Sequence, residues 1–511
     1  MAGSSAGAVP LGQGSLLGAL ELQHYDGPWV DPDDQRKVNA VLRYSAGDEQ
    51  QGYSLTGMFY HGLWNATTDQ PERAIAEGLI SRFGSLDPSD GGQAQRASLS
   101  GQYRNAVGGG QFAANAYVIS NHLTLWNDFT HFLIDPVNGD QEAQQEDRSV
   151  IGGALSYSHR APLFDFSGDW TAGLQTRQDF IDVARLPTRD RQLLPASADP
   201  LGFAESDQVR ESSVGAYTQL ITHWTPLWRS VLGLRDDYFH ESDSGTNHGR
   251  TAESLLQPKG SLIFTPADTT ELYLSAGRGF HSDDVRGVNQ AALKDQAGAP
   301  LIAKSTGEEI GVRQQMGHRI AATLTLFNID FQSETTYDPD AGVDTAGPPS
   351  HRYGTELNLT YQAQRWLEFY ATVATTHARY TEVYDDGTGH FGEYIPNAPN
   401  VIASFAAYVK DLGPWSGGLD FRYLGSEPLT PDNAERGDGY GEWNADGRYS
   451  FGSGWSVGLG LYNILNQHAN AAEFWYIDRL QGEPAAGVAD LHVHPLEPFT
   501  LRLTISKKFS G

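Results

Sequence analysis

The chain has 511 residues and carries 35 Lys and Arg against 63 Asp and Glu, a formal net charge of -28. A field of that sign excludes binding to a phosphate backbone, so nucleic acid is not an expected partner. Cysteine is absent, which excludes a disulfide scaffold and a thiolate zinc site, and no run of about 18 apolar residues is available for a transmembrane helix.

What recurs is alternation. Segments of about ten residues with apolar and polar side chains in strict turn run from one end of the chain to the other. In chain order they are 16–25, 37–44, 53–60, 96–104, 112–125, 150–159, 164–177, 209–224, 228–241 and 255–264. They continue as 270–280, 308–315, 319–331, 353–362, 366–380, 400–409, 415–423, 441–451, 455–465 and 499–509. That makes 20 segments. The period is clearest in the segment after Thr355, where Leu357, Leu359 and Tyr361 alternate with Glu356, Asn358 and Thr360. In the last segment Phe499, Leu501, Leu503, Ile505, Lys507 and Phe509 share one parity. Phe509 is the expected closure residue. Residues 1–14 are read as a remnant strand and turn, and 15–511 as one barrel.

The connections alternate too. Short turns such as 107–111, 225–227 and 363–365 are rich in Gly and Pro, whereas 61–95, 126–149, 178–208, 281–307, 335–352, 381–399 and 466–498 are long. Short turns on one rim and long loops on the other are the pattern of an outer-membrane barrel. The expected fold is therefore all-β, an antiparallel transmembrane barrel of about 20–22 strands. Aromatic residues near segment ends, among them Trp228, Trp366, Trp415 and Trp455, fit interfacial girdles. The opening MAGSSAGAVPLGQGS has no basic and no apolar signal region, so an export signal is expected upstream of it.

Five stretches resemble the C-terminal barrel of TonB-dependent outer-membrane receptors: PKGSLIFTPADTTELYLSAGRGFHSDDVRG (258–287), STGEEIGVRQQMGHRIAATLTLFNIDF (305–331), HRYGTELNLTYQAQRWLEFYATVA (351–374), WSVGLGLYNILNQ (455–467) and the closing LRLTISKKF. The resemblance implies a 22-strand barrel, a plug domain and a TonB-contacting box, and neither plug nor box is found in this sequence. It also implies as partners the outer-membrane lipid or lipopolysaccharide, the barrel-assembly machinery, the TonB complex acting through a plug, and a small extracellular ligand, a ferric siderophore being the first candidate. No cofactor is implied.

Ligand contacts are expected where strands enter long loops, at Arg278, His281, Asp283, Asp284 and Arg286, with Trp64 and Trp126 as aromatic contacts. The bland alternative is a solvated rim. His492 and His494, two apart, suit a shared metal if that stretch is extended. Asp87 and Asp90, and Asp135 with Asp140, make oxygen-rich turns that suit calcium or an ordinary Asp/Gly turn. Neither Glu308–Glu309 nor Asp236–Asp237 is evidence of glycosidase chemistry in so acidic a chain. No GxSxG elbow or P-loop is present, so no enzyme is expected. Two other functions fit the pattern. One is a plug-less or truncated barrel acting as a passive pore, which an upstream reading frame encoding a plug would exclude. The other is a secreted all-β polysaccharide-binding protein, which membrane fractionation would exclude.

Overall fold

The computed structural model describes residues 1–195, 204–293, 298–338 and 343–509; Ser510 and Gly511, which follow Phe509, lie outside them. The wall of the molecule is a run of long strands: β1 Ala2–Leu11, β2 Gly14–Tyr25, β3 Gln35–Gly47, β4 Gly52–Asn65, β5 Gly91–Val107, β6 Gly110–Asn127, β7 Glu142–Arg160, β8 Ser167–Arg189, β9 Glu205–His223, β10 Trp228–Asp243 and β11 Gly249–Ala267. It continues with β12 Thr270–Ser282, β13 Ile302–Met316, β14 Ile320–Phe331, β15 Ser350–Gln364, β16 Leu367–Asp385, β17 Val401–Leu412, β18 Trp415–Leu424, β19 Tyr440–Ser450, β20 Trp455–Tyr462 and β21 Thr500–Lys507. Each pairs antiparallel with the next. Two short extensions at the loop rim, Gln192–Leu193 and Phe391–Tyr394, bring the sheet to 23 strands.

The all-β antiparallel expectation holds, and every alternating segment overlaps a strand, with some ends, such as 463–465 and 164–166, falling in turns. The count changes, because Ala2–Leu11 pairs along its whole length with β2 and is a full strand rather than a remnant. Its AGSSAGAVPL has too few large apolar side chains to show a period. Leu16–Tyr25 is therefore taken on both sides, by β1 and β3, and does not receive the last strand. With strands alternating in direction along the wall, β1 and β21 run the same way. Among the described residues no ladder joins them.

The strands also run further than alternation showed. β7 begins at Glu142 and β8 continues to Arg189, because 142–149 is polar almost throughout and in 178–189 apolar Ile181 and Val183 turn inward, so the apolar-out period is lost above the belt. The loops are correspondingly shorter.

The apolar side chains face outward. On β21, Leu501, Leu503 and Ile505 are 60%, 67% and 63% exposed, and Leu232, Leu256, Leu274 and Ile310 are exposed on their own strands. Buried apolar clusters are small, the largest being trios such as Ile181, Val209 and Val285. A water-soluble sandwich would put its apolar face inside; this sheet does the reverse, as lipid requires. Exposed Trp170, Trp228, Trp366, Trp415 and Trp455 all lie at the turn rim and form one girdle. The turns are tight: Gly108 and Gly109 join β5 to β6 with φ of +59° and +79°, the left-handed pair that a two-residue hairpin of this hand needs.

Candidate functional site

Two assemblies occupy the loop side. The first lies on the inner wall. Odd-numbered residues of β8, β9 and β10 face inward, since their even-numbered neighbours Leu174, Val214 and Leu232 are exposed to the outside. Register then sets Asp179 opposite Glu211, and Glu211 opposite Glu241. Three carboxylates thus stand in one cross-strand row, an arrangement that is unfavourable without counter-charge. Arg177 caps Asp179 through Nε and Nη2 at 2.7 and 2.6 Å. Arg148, from β7, forks onto Glu146 at 3.1 and 3.1 Å, donates at 3.0 Å to the same Asp179 oxygen that takes Arg177 Nη2, and lies 3.7 Å from Glu211. Glu241 is 3% exposed, and its buried Oε2 has no hydrogen-bond partner among the described residues. The row borders a cavity of about 360 Å³ that Ser282, Asp283 and Asp284 also line. The helix α1, Val285–Leu293, holds that border in place by burying Val285 against Ile181 and Val209.

The second assembly is a cap made of three loops. Gln70–Pro71, Asn470–Asp478 and Val488–Pro495 form a small sheet, followed after Pro71 by the short helix Glu72–Ala76. Arg73, on that helix, forks onto Glu483 at 2.9 and 2.9 Å and reaches Asp478 at 2.6 Å and Asp490 at 3.1 Å. Asp478 is fully buried between Arg73, His492 Nε2 at 3.2 Å and His131 Nε2 at 3.8 Å. Burial alone would raise its carboxyl, but the contacts to His492 and Arg73 outweigh that and hold it below its ordinary value. His131 is pushed down to about 4, chiefly by burial, so it stays neutral. The ring of Tyr476 stacks on His492 with 3.6 Å between centroids.

The expected residues fall into both assemblies and outside them. Asp283 and Asp284 belong to the inner-wall cavity. Asp284 is bound by Arg286 at 2.8 Å, and Asp283 accepts from Thr335 at 3.2 Å and meets His281 Nδ1 at 3.0 Å. Arg278 is separated from them. It shares the parity of the exposed Leu272 and Leu274 and stands on the outer face of β12. Trp64 and Trp126 flank Gly91 and Gly92 across the β4–β5–β6 ladder. Arg191 covers the Trp126 ring at 5.1 Å and donates to Asn65, Ser89 and Asp90. Asp87 and Asp90 share the Gln141 amide at 2.9 and 3.4 Å. Asp87 also accepts from the Ser89 backbone, and Asp135 and Asp140 accept backbone N–H groups of their own turn. Burial, with Asp87 nearby, raises the Asp90 carboxyl well above its ordinary value. His492 is engaged with Asp478, while His494 packs on Trp29 at 4.7 Å. Among the described residues the one group of three side chains close enough to share a metal is His24, Asp26 and Asp34. Asp34 in that trio is already held by Arg36 at 2.7 Å.

The residues that sequence reading passed over are Arg148, Arg177, Asp179, Glu211 and Glu241. A signal existed in charged pairs spaced two apart, Arg235 with Asp237 inside an alternating segment and Arg177 with Asp179 across the end of one, because residues two apart share a strand face.

A family model described as TonB dependent receptor-like, beta-barrel, matches residues 23–464. The chain belongs to the TonB-dependent receptor family. Its wall also superimposes on solved receptors. The ferric citrate transporter FecA gives a TM-score of 0.79 at 15% identity, over 99% of this chain and 75% of that one. The ferric yersiniabactin uptake receptor FyuA from Yersinia pestis gives 0.73 at 12%, over 100% and 78%. The copper transporter OprC gives 0.70 at 16%, over 99% and 79%. At such identities the likeness is one of fold. Membership makes this receptor an outer-membrane transport barrel and not an enzyme.

Proposed function

We propose that the receptor takes up a scarce small solute, with a ferric chelate the first class to test, and that TonB energises the transport through a plug. The solute docks at the loop-side mouth, on the inner wall between Arg148, Arg177 and the Asp179–Glu211–Glu241 row. The observation that carries this reading is the cavity itself. It is polar and bordered by two guanidinium groups, and it keeps one buried carboxylate oxygen unpartnered. Buried polar groups are usually paired; the Asp478 oxygens in the cap also lack hydrogen bonds but are ion-paired to Arg73, whereas Glu241 has no ion pair among the described residues and borders this cavity. Solved structures it is similar to include a ferric citrate transporter and a ferric yersiniabactin uptake receptor, which favours iron chelates for the first panel.

The test is growth rescue. An iron-starved Gram-negative host lacking its own ferric receptors would express this receptor together with its complete reading frame, with and without TonB. A panel of ferric chelates would be supplied one at a time. Rescue by one chelate that depends on TonB and is reduced by Arg148→Gln supports the proposal. Rescue that persists without TonB would identify a passive pore. Rescue by none of the panel would remove ferric chelates as the solute.

A further inference from the structure

The charges that border the proposed docking cavity do not cancel. Five carboxylates, those of Asp179, Glu211, Glu241, Asp283 and Asp284, face two guanidinium groups, those of Arg148 and Arg177. Both guanidinium groups are already committed. Arg177 donates to both oxygens of Asp179, and Arg148 forks onto Glu146 and adds a bond to Asp179. A third, Arg286, is bound to Asp284. Glu211 is left with Arg148 at 3.7 Å, past hydrogen-bond reach. Buried Glu241 keeps Oε2 without a hydrogen-bond partner among the described residues.

An anionic solute would have to compete for its donors. A guanidinium would leave Asp179, which is 1% exposed, and stripping a buried carboxylate of its cation is strongly destabilising. A cation meets the opposite situation. Glu211 and Glu241 stand directly opposite each other on β9 and β10, on the inward face, with Oε2 of Glu241 among the acceptors left over.

Two further features narrow the kind of cation. The three acids of the row do not come close enough to share one metal ion, since among the described residues His24, Asp26 and Asp34 are the one trio within that reach. The cavity, at about 360 Å³, has the size of a small-molecule pocket and far exceeds a bare ion. In the row just below, register sets Phe239 opposite Ser213, and Ser213 opposite Arg177. Phe239 lines the cavity and packs edge-on against Phe280 at 5.4 Å. An aromatic ring two residues from an unmet carboxylate, on one strand face, suits a carbon chain that ends in a charged nitrogen.

We propose that the solute presents a primary ammonium group to Glu211 and Glu241, with Phe239 against the chain that carries it. Its three N–H donors are shared between the two acids and the Ser213 hydroxyl. That role rests on the reading of the inner wall as the docking site, and it sets the sign of charge the solute carries. Among ferric chelates, one with a free amine is taken in preference to a polycarboxylate.

The test uses the receptor expressed from its complete reading frame and purified in neutral detergent. Binding and melting temperature would be followed at fixed ionic strength with diaminopentane, pentanediol and glutarate, five-carbon probes that differ in terminal charge. Diaminopentane is expected to bind and raise the melting temperature, and the diol and glutarate are not. The variant E211Q/E241Q keeps the shape of both side chains and should bind diaminopentane on the order of tenfold more weakly. E77Q/E382Q, which removes two exposed acids outside the cavity, should bind it like the parent. Unchanged heat-modifiable migration would verify folding, and the comparison of the three probes on the parent decides without any variant. The proposal fails if diaminopentane binds no better than the diol, or if E211Q/E241Q binds it like the parent. Glutarate binding that R148Q weakens would overturn it as well, while keeping the wall as the docking site of an anionic solute. A rescuing chelate whose uptake neither R148Q nor E211Q/E241Q reduces would remove the docking site itself, and the ammonium contact with it.

Discussion

The cap and the inner wall solve the same problem in opposite ways. Both gather acids at the loop side of a strongly acidic chain. In the cap, Asp478, Glu483 and Asp490 converge on one guanidinium, Arg73, which is 14% exposed. On the inner wall, Asp179 takes two guanidinium groups and Glu241 takes none. A network whose charges are met fixes loops in one arrangement. A row with one acid unmet stores unfavourable energy that a bound partner can relieve. The contrast favours the wall over the cap as the proposed docking site.

Arg73→Ala would break this contrast most severely. It leaves buried Asp478 and the half-buried Glu483 and Asp490 without their cation. Breaking a buried pair by removing one partner costs about 3–5 kcal/mol. The expected outcome is a cap that opens: protease cleavage within 66–90 and 466–498 at concentrations that leave the parent intact. The barrel should keep its heat-modifiable migration. Equal protease resistance would mean that Arg73 does not hold the cap.

Gly91→Ala probes the seam where the cap meets the wall. Gly91 has φ of +150°, and a Cβ there would press on the Trp64 carbonyl and on Arg191 Nη2. A strained backbone of this kind costs about 1–3 kcal/mol. Because Arg191 covers Trp126, the variant should displace it and make tryptophan more accessible to an aqueous quencher. If quenching and melting are both unchanged, Trp64, Trp126 and Arg191 do not form one unit.

How much of this was legible in the sequence follows from period and distance. The strands could be read because lipid on one side forces alternation, and Leu357, Leu359 and Tyr361 show it plainly. Reading failed where that force is absent: at Ala2–Leu11, whose side chains are small, and at 142–149 and 178–189, above the belt. The site was harder. Asp179, Glu211 and Glu241 come from three strands, and only the exact register makes them neighbours. Arg278 and Asp283 looked like one cluster because they are close in sequence, yet Arg278 points to the other face. Asp236 and Asp237 illustrate the same rule, since Asp237 is buried on Arg235 while Asp236 is exposed. His492 was visible as half of a His pair, but its actual partner Asp478 lies on the neighbouring cap strand.

Glu241→Gln sharpens the contrast from the other side. Removing one of three facing carboxylates should stabilise the empty receptor by up to about 1 kcal/mol, seen as a higher melting temperature. The same variant should slow uptake of whichever chelate rescues growth, since a relieved row has less to gain from a ligand. A lower melting temperature would show that Glu241 has an unseen structural partner.

The smallest effect is expected between two loops where charges are met but exposed. His390 Nδ1 lies 2.8 Å from Asp432 Oδ2. Its bond to Asp432 raises the imidazole above its ordinary value of 6.5, and the same bond, with backbone donors, holds Asp432 down to about 2. A raised histidine stabilises fully below 6.5 and loses that contribution as pH climbs through the raised value. A depressed aspartate stabilises above its ordinary 3.8 and loses the contribution as pH falls toward about 2. The pair is therefore strongest between those two limits and weakens on either side. Water screens it, so the change in stability should be within a few tenths of a kcal/mol. Proton NMR of His390 is the better reading: Asp432→Asn should move its titration back toward 6.5, and a titration that stays raised in that variant would mean that Asp432 is not its cause.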